Sequence, residues 1–209
     1  VSRWVDAVVL RRERGSVRGI PLAFVASAIS VGETIDVPAG ARAGDLAILA
    51  DFAITPAASV VPTNWTQIGT TLGTTNRRIT SRRVLTGGEG TITGMVGATN
   101  TQKAMLVFRK RPSGLWGAPT KHTEQSTTSA PTNQVITATP GPSILLAVYC
   151  GSGGASTRGF TPAQDAEVAV TGARLHVRYK IHRVANPETT ITMNDDGSNI
   201  LSSFRVPVL

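Results

Sequence analysis

What this chain of 209 residues has little of narrows its function before any motif is weighed. Cysteine occurs once, at Cys150, which excludes an intrachain disulfide framework. Its flanks, "ILLAVYCGSGG", end an apolar strand, where a small buried hydrophobe is expected rather than a nucleophile. Histidine occurs three times, at His122, His176 and His182. The last two would share one face of a strand about 20 Å apart, too far to hold one metal unless the chain bends. Surface histidines, solvated or hydrogen-bonded, are expected instead. Charged residues make up 16% and aromatics 5%, and long Ala/Leu/Glu/Lys stretches are missing, so strands and turns are favoured. Apolar runs are short. Residues 7–10 meet "RRER" at once and 22–31 is broken by serines, so neither a signal peptide nor a membrane span is expected. A soluble protein made without classical export, with no membrane partner, follows from this.

Positive charge is what the chain has in excess: 21 Lys and Arg against 13 Asp and Glu, a net charge of +8. Such a balance suits an anionic glycan, nucleic acid or an acidic protein partner, or simply a solvated basic surface. The arginines are scattered, with no long basic run or zinc-finger spacing, so no specific nucleic acid is expected.

Residues 1–21 differ from the rest. In "VSRWVDAVVLRRERGSVRG", Trp4, Val8 and Val9 are apolar, Arg11, Arg12 and Arg14 crowd behind them, and Gly15 and Gly19 interrupt. This reads as an arm preceding a core, too short and too charged to fold alone. With Trp116, these six residues are the candidate assembly contacts. From residue 22 onward, short apolar runs alternate with Gly, Pro, Asn and Thr, as in "DLAILADFAI", "GTITGMVG" and "SILLAVYC". A Pro- and Ser/Thr-rich crossing loop is expected over 111–134, with Trp116 in its middle and lying over a sheet edge or a neighbouring subunit.

The chain also repeats itself. Thr75 to Leu85 aligns without gaps to Thr171 to Ile181 at an offset of 96, so that Arg78 meets Arg174, Ile79 meets Leu175 and Leu85 meets Ile181. Phe108-Arg109 meets Phe204-Arg205 at the same offset, "EGTIT" meets "ETTIT" at 99, and "GDLAILADF" lines up loosely with "GPSILLAVY". A unit of this size with one apolar sheet face cannot readily bury that face alone. The expected fold is therefore all-β: a two-sheet, jelly-roll-like sandwich over 22–209, built from two related halves, 22–112 and 134–209. Strand alternation predicts Arg78, Thr80 and Arg82 on an outer face with Ile79, Ser81, Arg83 and Leu85 on the other, and Arg174, His176, Arg178 and Lys180 outside with Leu175, Val177, Tyr179 and Ile181 inside. A basic outer stripe of that kind is either a soluble face that discourages edge pairing or a docking surface for an acidic subunit or anionic glycan.

No catalytic, metal or cofactor site emerges. "NDDGSN" (194–199) lacks the spacing and distal Glu of a calcium loop and reads as a hairpin. "GSGGAST" (151–157) has no Lys before its Ser/Thr and reads as a hairpin tip rather than a phosphate loop.

"IDVPAGARAGDLAILADF", the "PTNW" at 62–65, "RRVLTGGEGTITG" and "AMLVFR" together resemble a domain of tailed-bacteriophage virion structural proteins. That domain runs through a Pro/Gly approach, a "GDLLL" strand, a "P-x-GW" turn, a "YR" strand and a "GE" turn. The likeness covers roughly 31–209 and is most specific over 35–109. Asn64 stands where glycine is usual and Arg83 where tyrosine would be, while Tyr179 restores the aromatic in the second copy. The resemblance implies a tail, fibre-associated or head-decoration β-sandwich in the virion, assembled in the host cytoplasm, non-enzymatic, homo-oligomeric and bound to other virion proteins. The alternative is a carbohydrate-binding or host-attachment module, which would need an exposed aromatic such as Trp65 or Trp116.

Overall fold

The short apolar runs become strands, and the way they alternate between layers sets the architecture. A computed structural model describes residues 22–55, 60–72, 76–98, 100–127, 134–136, 141–151, 165–170, 174–183, 189–191 and 199–209. The arm with Trp4, Val8, Val9, Arg11, Arg12 and Arg14 lies outside these residues, as do most of "GSGGAST" and "NDDGSN". Among the described residues there are fourteen strands and no helix.

The first seven strands are β1 (Leu22–Val31), β2 (Thr34–Asp36), β3 (Leu46–Ile54), β4 (Thr66–Leu72), β5 (Asn76–Val84), β6 (Thr91–Thr93) and β7 (Asn100–Lys110). The other seven are β8 (Thr120–Thr127), β9 (Gln134–Ile136), β10 (Ser143–Gly151), β11 (Ala166–Ala169), β12 (Leu175–His182), β13 (Thr189–Ile191) and β14 (Asn199–Pro207). Sheet one has the order β1-β7-β3-β5-β4 and sheet two the order β11-β12-β10-β14-β8, all neighbours antiparallel. Two ribbons, β2-β6 and β13-β9, complete the count. Read in chain order, the second half repeats the first strand for strand. In each, the chain leaves the large sheet for the ribbon and returns twice, which is the wrapping path of a jelly roll.

The two sheets stack face to face, with β4 against β8, β7 against β12 and β1 against β11. Between them lie Leu46, Ile48, Phe52, Leu106 and Phe108 from one side and Ile144, Leu146, Val148, Cys150, Val177, Tyr179 and Phe204 from the other. Cys150 is thus a buried core residue, as its flanks suggested. Each such aliphatic or aromatic side chain contributes about 1.5–3 kcal/mol when fully buried. A second apolar layer fills the far side of sheet one, where Ile35 and Ile92 of the β2-β6 ribbon cover Ala47, Leu49, Leu85, Met105 and Val107, with Trp65 among them. That is why "LAILADFAI" is apolar almost throughout: both faces of β3 are covered, and its first eight residues are buried.

The register of the repeat differs from the offset of 96. Ile48 pairs with Arg82 and Leu106, while Leu146 pairs with Tyr179 and Phe204, so these rows are equivalent. Arg78 therefore corresponds to Leu175, and Ile79 and Leu175 face opposite sides. The central strands carry a shift of their own. Gly44 and Gly141 both turn the chain with positive φ, 87° and 88°, but the first inward residue follows two positions after Gly44 (Leu46) and three after Gly141 (Ile144). A shift of one residue moves a strand's side chains to the other face, as on β12 relative to β5, whereas the shift of two on β14 relative to β7 leaves Phe108 and Phe204 both facing inward.

The stretch 111–134 is not a loop throughout. Its "TKHTEQST" forms β8, rich in β-branched residues and paired along β14, so sheet two begins at 120 rather than 134.

Candidate functional site

The predicted outer stripe on β5 is reversed. Arg78 is fully buried between the sheets, donating from Nη1 to the Val148 carbonyl at 3.0 Å and from Nη2 to Ser202 Oγ. Thr80 is buried with it, while Ile79 packs on the far side with Ala53 and Met95. The alternation holds but its sense is inverted, because Ala53, Met95 and Ala98 give Ile79 an apolar cover on the far face too. On β12 the expected sense holds: Leu175, Val177, Tyr179 and Ile181 line the inter-sheet core.

His176 and His182 are nevertheless buried, not surface groups. His176 Nδ1 is hydrogen-bonded to Glu167, whose other oxygen accepts from Arg178 at 3.0 Å. The His176 hydrogen bond, outweighing partial burial and aided by Arg178, holds the Glu167 carboxyl down at about 2. His122 stands at a bulge of β8; burial and the nearby Arg205 lower its pKa, and the same pair of causes acts first on His182. Beneath the far side of sheet one, Lys103 Nζ meets Asp51 Oδ1 at 2.7 Å, with both side chains essentially inaccessible. Asp51 also accepts from the Met95 amide at 2.7 Å. Burial raises its pKa, opposed by Lys103 and that amide. Among the described residues no group of three or more His, Cys, Asp or Glu could hold a metal ion.

A concave feature among the described residues lies where sheet one meets the segment linking the halves. Residues 114–117 run antiparallel to the chain's last strand end: Leu115 and Leu209 exchange backbone hydrogen bonds of 2.9 and 2.8 Å, and the Gly117 amide donates to the Pro207 carbonyl at 2.9 Å. Trp116 bridges Val208, packs partly against the inter-sheet core and donates its indole N–H to the Gly44 carbonyl at 2.9 Å. Arg82 reaches across from β5 to the Gly117 carbonyl at 2.7 Å. Trp116 is thereby fixed where β3 begins and β14 ends.

Around it opens a pocket of about 440 Å³ lined by Asn64, Thr66, Arg82, Arg83, Val84, Thr86 and Trp116. Its walls are braced from behind. Glu89 accepts from the Thr86 amide and hydroxyl and from the Gly87 amide, and pairs with Arg83 at 3.4 Å. Burial alone would raise the Glu89 carboxyl, but these hydrogen bonds outweigh it and hold it below the usual range. Asn64 occupies the left-handed region at φ 65°, in a turn closed by the Trp65 amide on the Pro62 carbonyl at 3.0 Å. The lining offers two guanidiniums, three small polar groups, one indole and the aliphatic Val84. Burial lowers the pKa of Arg82, from an ordinary value high enough that the group stays charged near neutrality.

Trp65 is buried in the outer core and offers no platform, which leaves Trp116 as the described indole open to a ligand. Sequence reasoning singled out Trp116 but missed Arg82, Arg83 and Asn64 as its neighbours. The link segment that joins them lies more than thirty residues downstream, and nothing local announces it. No family model, curated protein or solved structure matches this chain.

Proposed function

We propose that this chain is a non-enzymatic structural component of a phage or phage-like particle, docking on other virion subunits as a tail, fibre-associated or head-decoration protein. The support is where the motifs of the resemblance fall, because each closes a joint of the first jelly roll. Asp45 of "GDLAIL" is buried and takes the Arg42 amide at 2.9 Å and two hydrogen bonds from Arg109 of "AMLVFR", at 2.8 and 2.7 Å. "PTNW" buries Trp65, and "TGGE" folds around Glu89. Motifs spent on turns and strand ends suit a scaffold whose business is assembly.

The arm supplies the test. Trp4, Val8 and Val9 need an apolar partner, and a neighbouring subunit with acidic groups for Arg11, Arg12 and Arg14 is the partner proposed. Deleting residues 1–19 is expected to leave the melting temperature of the isolated domain nearly unchanged and to abolish incorporation into particles. Unfolding of the truncated chain, or normal incorporation without the arm, would reject the anchoring role. Host attachment through an acidic glycan is the second reading, favoured by the pocket at Trp116.

A further inference from the structure

We infer that the Trp116 pocket is a binding site for a carboxylate-bearing sugar. The inference rests on the pocket's geometry and stands or falls separately from the particle reading.

Three properties of the lining point to that ligand class. An indole beside hydroxyl and amide groups suits a ring with one apolar face and a polar rim, and a volume of 440 Å³ lies in the range of small-ligand sites. The charge in the lining is of one sign, Arg82 and Arg83, with no carboxylate facing the cavity. The fork geometry of guanidinium favours carboxylate over a neutral hydroxyl. The site is also built in advance. Arg82 is held by the Gly117 carbonyl, Trp116 by the Gly44 carbonyl, and Arg83 by Glu89, so little ordering remains for a ligand to cost.

Asn64 is the most telling member. At φ 65° a glycine would be accommodated without strain, whereas any side chain there carries a conformational cost that Asn tolerates better than most. That Asn is one of the residues lining the pocket. Strained non-glycine residues of this kind gather at ligand sites. A nucleic-acid strand is disfavoured, because such grooves stack successive bases on several aromatics and only one indole lines this pocket.

The test is calorimetric titration of the full chain with trigalacturonate and with sialyllactose, against maltotriose and lactose as neutral counterparts and decathymidylate as a nucleic-acid probe. Saturable binding of an acidic sugar is expected, at least about tenfold tighter than its neutral counterpart and weakened by salt. Arg83→Ala and Asn64→Gly should each weaken it by about tenfold. Asn64→Gly should leave the melting temperature unchanged or raised, which separates loss of a ligand contact from loss of structure. The proposal is overturned if neither acidic sugar binds saturably, if neutral sugars bind equally well, if decathymidylate binds more tightly, or if neither variant alters affinity.

Discussion

Gly94 shows how one missing side chain keeps a buried charge pair intact. A Cβ at this position would overlap Asp51 Oδ2 and lie 2.9 Å from Lys103 Nζ, so the loop can close over the ion pair only because residue 94 has none. Neither charge reaches water, and breaking such a pair leaves an uncompensated buried charge. Gly94→Ala is therefore expected to destabilise the protein by about 3 kcal/mol, read as a lowered urea midpoint with an unchanged slope. Replacing Asp51 and Lys103 together with Leu and Met in that background should recover part of the loss, since two apolar side chains have no desolvation cost. Recovery by neither change would mean that the loop, not the pair, carries the penalty.

Strand β5 and its counterpart β12 solve the same packing problem with different chemistry. β12 presents Leu175, Val177 and Tyr179 to the opposite sheet, whereas β5 presents Arg78, Thr80 and Arg82. The difference is matched across the interface. Arg78 meets Ser202 on β14, and the residue equivalent to Ser202 on β7 is Ala104, which packs in the apolar core with Leu175. Arg78→Leu alone should cost about 2 kcal/mol, because Ser202 and the Val148 carbonyl lose a charged donor. Adding Ser202→Ala makes the two sides alike and should return about 1 kcal/mol or more. Additive losses in the double variant, measured by denaturant unfolding as a double-mutant cycle, would show that the two residues act independently.

Each half is a jelly roll with a ribbon on one side and a bare apolar sheet on the other, and only the pairing of the two hides both sheets. A fragment ending near residue 112 would expose Leu46, Ile48, Phe52, Leu106 and Phe108 on one face, far more contiguous apolar surface than a soluble monomer carries. The fragments 1–112 and 113–209 are each expected to aggregate or self-associate alone, and to form one 1:1 species with native-like circular dichroism when refolded together. A monomeric, cooperatively folded single half would contradict this account of the core. Sheet-on-sheet docking also builds the pocket, since Trp116 belongs to neither sheet and is placed by the strand ends of both.

The all-β class, the duplicated halves and the core position of Cys150 were legible in the sequence, because alternation and composition act over a few neighbouring residues, and the turns at Pro62–Trp65 and around Glu89 were implied by the resemblance. The face that each strand of the first half presents was not. Alternation fixes which residues share a side but not which side is buried, and β5 has cover on both. The repeat was readable as strand composition, yet the register of each equivalent strand pair differs from the sequence offset by one or two residues, which only pairing across the sheet reveals. The strand within 111–134 was hidden because "TKHTEQST" is polar, and it is a strand through its ladder to β14. Trp116, Arg82, Arg83 and Asn64 come together only in the tertiary structure, since contacts between residues far apart in the chain depend on how the two sheets dock, a property that no local run of residues carries.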